Sequence, residues 1–352
     1  MTDIRSQRMK AGVLESLGTL VVREVDRPAC PPRGALLRVN GCAICGSDLR
    51  TFRHGHRAVQ LPHVLGHEIC GTIVELDERA GYEEGARVTL TPAVSCGTCA
   101  NCRAGRFNRC DDLVALGEDI PGGFAEYVAV PARLIDAGYL APVPPNVRSE
   151  HAAVAEPLGC VLNGQDLLNV SLGDTVVVIG LGAIGCMHIA VARARGARQI
   201  MAVDISPRRL ELARGFEADV YINADERDPV TVVDQATKGR GVDVVVVACP
   251  SGNAQKQALA MAAKGGRVSF FGGLPHKDSL VSLDTNLIHY RELQVVGAFG
   301  SLPVHIAQAV DLISAGAIPM DRVVTHVLPL DGIARAFNVA ASEDSLRVVV
   351  SP

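Results

Sequence analysis

The most constraining feature is a run of five β-branched residues, Thr175-Val-Val-Val-Ile179, that leads directly into Gly180-Leu-Gly182-Ala-Ile-Gly185. A continuous apolar β-branched run reads as a strand buried on both faces, and the residues after it, Ile184–Arg195, read as a helix. Between the two, Gly180 permits a tight turn and Gly182 lets backbone N–H groups approach a pyrophosphate. Gly185 lets the helix pack closely on the strand. Taken alone, such a glycine pattern also occurs in methyltransferases. Here Asp204 ends the next apolar run, 24 residues after Gly180, where a carboxylate accepts hydrogen bonds from both adenosine ribose hydroxyls. Gly180, Leu181, Gly182, Ala183, Ile184, Gly185 and Asp204 are therefore candidate dinucleotide-binding residues. An acidic group at 204 repels a 2′-phosphate and so favours NAD over NADP. Arg208 and Arg209 just downstream are the opposing signal, either clamping a phosphate or lying on the adenine.

The strand–helix texture continues around this motif. Gln199–Val203, Val242–Ala248 and Arg267–Phe271 are further apolar runs, and Ser206–Glu217 and Asn253–Ala263 are helical stretches between them. Alternation of that kind predicts a parallel sheet covered on both faces, the doubly wound Rossmann arrangement. Residues 12 to about 150 differ. Short β-type runs such as Ala35–Val39, Ile69–Leu76 and Arg87–Leu90 are interrupted by Gly and Pro at close spacing, which predicts a mostly-β unit. After Gly297 the helical stretch Pro303–Ala315 and short elements ending in Arg347–Val350 form a tail long enough to return to the first unit. Leu293–Val296 reads as a strand, either internal or an edge that pairs with another subunit.

Eleven cysteines stand in the chain, and four of them fall within fifteen residues as Cys96-x2-Cys99-x2-Cys102-x7-Cys110. Such short spacings let one loop wrap a tetrahedral ion, and four sulfur ligands leave no position open for substrate, as in structural zinc. An iron–sulfur cluster uses similar ligands, but the surrounding strands favour zinc. A second, dispersed set is Cys45-Gly-Ser47-Asp48 and Gly66-His67-Glu68. A thiolate, an imidazole and a carboxylate suit a catalytic zinc with an exchangeable position. Spacing alone is equally consistent with a structural histidine and a core thiol.

These residues, taken in order, resemble the zinc-dependent medium-chain dehydrogenases, and within them the sorbitol (polyol) dehydrogenase-like branch. The resemblance rests on CGSDL at 45–49, GHE at 66–68, the four-cysteine lobe, GGFAEY at 122–127, EPL at 156–158 and GLGAIG at 180–185. It implies an α/β chain with a GroES-like, mostly-β catalytic domain over 1–157 that carries a structural zinc lobe at about 95–111. A Rossmann domain over 158–297 and a C-terminal return over 298–352 complete it. It further implies two zinc ions per chain, one structural and one catalytic, the latter held by Cys45, His67 and the carboxylates Glu68 and Glu156, directly or through a water. Cys42 is then a bystander. Asp48 orients the His67 ring, Ser47 starts a proton relay, and Arg209 joins the cofactor-binding set.

Departures from the family pattern bear on substrate. Arg50 stands where many relatives have a relay histidine, and a guanidinium cannot accept a proton at neutral pH. His54 and His56 are the alternative relay ends. Thr51 replaces a tyrosine, and Phe299-Gly300 aligns with a Phe-Arg pair. The reaction expected is hydride transfer between NAD and a secondary alcohol of the polyol, sugar-alcohol or cyclitol class. A simple alcohol, a threonine-like amino alcohol or a sugar phosphate are alternative substrates, and a non-catalytic zinc-binding relative is the remote alternative.

Charge and composition narrow the partners. With 34 Lys and Arg against 38 Asp and Glu the chain carries a net charge of −4, and it lacks Trp. That argues against binding along a nucleic-acid backbone. The arginines at 103, 106 and 109 are followed by Asp111, Asp112 and Glu118, so they read as a solvated lobe surface. No apolar run approaches membrane-spanning length, and the first ten residues lack an apolar signal core, so a cytoplasmic location without membrane contact is expected. The resemblance implies a homotetramer or homodimer acting on a small-molecule alcohol.

Overall fold

The computed structural model describes residues 8–77 and 81–352. The chain divides into two compact units. The first runs to Gly159 and takes in Gly300–Gly316 and Val324–Pro352, and the second comprises Cys160–Phe299 with Ala317–Val323.

The first unit is built on a seven-stranded sheet. Its central strand, Ala35–Ala43, pairs antiparallel with Glu68–Leu76, Tyr127–Val130 and Arg347–Ser351. The turn-broken short runs of the sequence pair antiparallel in this way, whereas Val324–Pro329 and Arg347–Ser351, joined through the helix Ile333–Ala340, pair parallel. Ala35–Ala43 extends four residues beyond the expected Ala35–Val39, through Gly41 and Cys42, because pairing with Ile69 and Cys70 continues there after a register shift. The core of the unit gathers Phe124, Tyr139 and Phe337 with leucines of the sheet. Phe337 comes from the C-terminal helix Ile333–Ala340 and meets Phe52 and Phe124 edge to face, with ring centres 5.4 and 5.6 Å apart.

The second unit is a six-stranded parallel sheet. Counted in chain order within the unit, its strands lie 3-2-1-4-5-6, with Thr175–Ile179 first and Val242–Val247 fourth. Order reverses between those two, so the crevice at their carboxyl ends is the place for a ligand in a sheet of this kind. Val176–Val178 and Val244–Val247 are fully buried, as strands covered on both faces must be. The helix expected over Asn253–Ala263 is Gly252–Met261, and the strand expected from Arg267 begins at Ala262. Propensity alone did not mark that junction. Among the described residues Gln294–Gly297 pairs only with Ala262–Phe270 and is the edge of the sheet.

The helix Ala183–Ala194 carries a histidine into the interior of this unit. The His188 ring is fully buried and lies edge-on to Phe271, with ring centres 4.7 Å apart, while its carbonyl accepts from Gln165 Nε2 at 2.8 Å. Burial, reinforced by the charge of Arg195, holds its imidazole down to about 3. An unfolded histidine titrates near 6.5, so the stability that neutral His188 permits is complete above that pH and is lost as pH falls toward 3. Between pH 7 and pH 5 the loss is about 2 kcal/mol. Urea unfolding of His188→Gln should accordingly lose less stability than the wild type over that interval, and parallel losses would show that the histidine is not titrating.

Candidate active site

Strand register assembles the first constellation. Ala43 is paired with Glu68 on one side and Val349 on the other. Cys45, two residues past Ala43, and His67, one before Glu68, are thereby brought to the same end of the sheet. The ligand atoms of Cys45, His67 and Glu68 all lie within 4.8 Å of one another. Gly66 is required at this corner, because its φ is +96° and a Cβ there would stand 2.7 Å from Cys42 Sγ and 2.9 Å from the Phe124 ring. Cys42 itself is buried in the core and outside the ligand set.

Asp48 ties the two ligand-bearing segments together. Its Oδ2 accepts from the Cys45 N–H at 2.8 Å, its Oδ1 accepts from the Gly66 N–H at 3.3 Å, and Oδ1 stands 3.5 Å from His67 Nδ1. The Nδ1 partner fixes the ring and leaves Nε2 for a metal, the usual carboxylate–histidine support. Burial works against ionisation of the Cys45 thiol, but the charge of His67, a hydrogen bond from its ring and the charge of Arg347 outweigh it and bring the thiol down to about 6. A thiol held in that range is a thiolate ready to ligate.

Glu68 is fully buried, and neither of its carboxylate oxygens receives a hydrogen bond. Arg347 Nη2 lies 3.0 Å from Oε1 outside hydrogen-bond geometry, while Arg347 Nη1 donates to the Ile44 carbonyl at 3.1 Å. Burial raises the Glu68 carboxyl well above its usual range, with the Arg347 charge opposing. A buried carboxylate with open lone pairs beside a thiolate and an oriented imidazole is a donor set that fits zinc. Glu156 is buried near the start of the helix Ala155–Leu167 and stands outside the three-residue ligand set, yet its charge acts on both Glu68 and Arg347. Ser47 lies half-buried in the first turn of the helix Gly46–His54. Arg347 is the residue that sequence reasoning missed. Its only signal was a charged residue at the head of the apolar run Val348–Val350.

The four cysteines of the lobe also converge, with ligand atoms within 4.8 Å of one another and Cys96 and Cys102 sulfurs 3.9 Å apart. Backbone N–H groups of Thr98 and Cys99 donate to Cys96 Sγ at 3.4 and 3.3 Å, and the Cys96 N–H donates to Cys110 Sγ at 3.2 Å. Those donors, Thr98 first, lower the Cys96 thiol to about 6. All four are unbridged, and although burial pushes the Cys102 thiol up to about 12, the four converging sulfurs are a donor set that fits a closed tetrahedral ion.

In the second unit, Gly180 has φ +94°, and a Cβ on Gly185 would stand 1.8 Å from the Gly180 carbonyl oxygen. Gly182 caps the helix Ala183–Ala194, and no atom stands within 4 Å of where its Cβ would be. The helix amides of Ala183 and Ile184 thus open onto an uncrowded cradle of the kind a pyrophosphate occupies. Asp204 accepts from the Leu181 N–H at 2.6 Å and from the Ser206 N–H at 2.9 Å, which fixes its carboxylate at the mouth of the cradle. Arg209 follows in the helix Pro207–Ala213, whose cap Ser206 accepts from the Arg209 N–H at 3.3 Å.

Comparison with known proteins identifies the family. Residues 31–145 match the alcohol dehydrogenase GroES-like domain, and residues 183–315 match the zinc-binding dehydrogenase domain. The chain belongs to the zinc-dependent alcohol dehydrogenase family. It is similar to an erythritol/L-threitol dehydrogenase of Mycolicibacterium smegmatis, 33% identical with 100% of both chains covered. An L-threonine 3-dehydrogenase of Bacillus velezensis is 32% identical, with 98% of this chain and 99% of the relative covered. Among solved structures, a Sinorhizobium meliloti protein bound to NADP is 35% identical at a TM-score of 0.90, covering 98% of this chain and 100% of that one. The family members are oxidoreductases, and two different alcohol substrates appear among these relatives' names.

The two constellations should respond differently to mutation. Cys99→Ser is expected to remove one zinc and make the first unit unfold or aggregate, since closed zinc sites contribute folding free energy. Arg347→Met strands a buried carboxylate and should destabilise the zinc-loaded protein by about 3–5 kcal/mol. Combining it with Glu68→Gln should recover part of that loss in urea unfolding, whereas additive losses would show that the two side chains are not a pair.

Proposed function

We propose that the protein is a zinc-dependent dehydrogenase that transfers a hydride between NAD and a secondary carbinol of a hydroxyl-rich substrate of the polyol class. The observation that carries this reading is the buried Cys45–His67–Glu68 set, in which Glu68 keeps both oxygens free of donors. Zinc held there would supply a Lewis acid that lowers the pKa of a substrate hydroxyl. Asp48 keeps the His67 ring in the orientation that leaves Nε2 free. Ser47 Oγ would take the hydroxyl proton and release its own to solvent, and a nicotinamide cofactor held at the Gly180–Gly185 turn would supply the acceptor for the carbinol hydride. Glu156 and Arg347 set the charge around Glu68. His56 Nδ1 faces Glu118 Oε2 at 3.9 Å, and His54 lies two turns along the helix from Ser47, about 10 Å away.

Preference for NAD is supported by Asp204, whose carboxylate is fixed by two backbone amides and repels a 2′-phosphate. The threitol dehydrogenase relative supports the polyol class. Among the described residues no helix is long and apolar enough to cross a membrane.

Absorbance of reduced nicotinamide, read with NAD and NADP against polyols, cyclitols, simple secondary alcohols and threonine, tests the reaction. The expected result is chelator-sensitive reduction of NAD on one polyol class, at least tenfold above NADP in kcat/KM. Cys45→Ser should lose turnover and one zinc while keeping its circular dichroism. Full activity in Cys45→Ser, or preference for threonine, would overturn the assignment of metal site or substrate class respectively. Asp204→Ser should narrow the NAD-to-NADP ratio, and an unchanged ratio would remove Asp204 from the discriminating role.

A further inference from the structure

The helix Gly46–His54 begins directly after Cys45, so each residue on it stands at a set distance from the ligating thiol. Its inward face is defined by buried Asp48 and Thr51, with Leu49 and Phe52 packed against the core. Ser47, Arg50 and His54 follow one another at steps of three and four residues and form a neighbouring stripe. Ser47 is half-buried, whereas Arg50 and His54 are exposed. Along the helix backbone Arg50 therefore stands three residues, a rise of about 4.5 Å, beyond Ser47.

Charge at this place is unbalanced. Exposed arginines elsewhere in the first unit divide: Arg8 meets Asp26 at 2.7 Å and Arg33 meets Asp136 at 3.0 Å, whereas Arg38, Arg103, Arg106, Arg109 and Arg335 form no ion pair among the described residues. Arg50, Arg53 and Arg57 form no ion pair among the described residues, and the nearby acid Glu118 stands against His56. Three guanidinium groups within eight residues are thus left without counter-charge in a chain whose net charge is −4. A permanently charged group cannot end a proton relay. What it offers is a rigid fork of donors matched to the two oxygens of a carboxylate or phosphate, which a neutral polyol lacks.

We propose that Arg50 is a specificity-determining residue and that the alcohol substrate carries an anionic group, a carboxylate or a phosphate, which Arg50 holds. Arg53 and Arg57 add the field that draws such a substrate in. The proposal rests on the dehydrogenase reading above and narrows its substrate class to a sugar acid or a sugar phosphate.

The test compares zinc-loaded wild type, Arg50→Gln and Arg50→Lys with three probes of one carbon skeleton: sorbitol, gluconate and sorbitol 6-phosphate. Rates with NAD and calorimetric titration in the presence of NADH are both read. The expected result is that the ratio of kcat/KM for an anionic probe to that for sorbitol falls at least tenfold in Arg50→Gln. The change should lie in KM, Arg50→Lys should be intermediate, and the difference should shrink with added salt. The anion whose binding depends more on Arg50 identifies the group. Failure of both anions to bind the wild type, equal binding to wild type and Arg50→Gln, or a change confined to the KM for NAD would each overturn the proposal. Arg50-dependent binding of an anion without any turnover on the three probes would support it while counting against the polyol-type reaction.

Discussion

One buried carboxylate organises the metal-binding corner of the first unit. Asp48 accepts the amides of Cys45 and Gly66 and faces His67 Nδ1, so a single side chain joins the start of a helix to the start of a strand. A buried charge is tolerated only where donors surround it. Here those donors come from the two segments that must be held together to bring a thiolate and an imidazole into one ligand set.

Around that strap the remaining charges are arranged by the sheet. Ala35–Ala43 lies between Glu68–Leu76 and Arg347–Ser351, which puts Arg347 next to Glu68 although they are far apart in sequence. The guanidinium is fastened to the Ile44 carbonyl and does not meet Glu68 with hydrogen-bond geometry. Glu68 is thereby stabilised by a fixed positive charge while its lone pairs stay available. The four-cysteine lobe differs, with every sulfur within reach of the others and backbone amides supplying the second layer of contacts.

The cofactor unit was the most legible part of the chain. Five β-branched residues before Gly180 specify a strand, Gly185 leaves no room for a side chain, and Asp204 closes the next strand. All of this is local chemistry at short separation. The four-cysteine lobe was legible for the same reason. Less readable were the strand Val220–Asn223 and the early start of the strand at Ala262, because neither carries a strong periodic signal and tertiary pairing decides both. Arg347 could not be read as part of the site, since one arginine ahead of three valines is indistinguishable from an ordinary strand end.

The sequence by itself determined the fold class and marked the four-cysteine lobe and the glycine-rich strand–helix turn, because each depends on residue types at fixed, short spacings. Only the tertiary structure decided which carboxylates stand with Cys45 and His67. It brings Glu68 within 4.8 Å of the Cys45 and His67 ligand atoms, leaves Glu156 outside that cluster, and sets Arg347 beside Glu68. The physical reason is register: a strand pairing brings together residues hundreds of positions apart, and a slip of one residue would turn Glu68 and Arg347 to opposite faces.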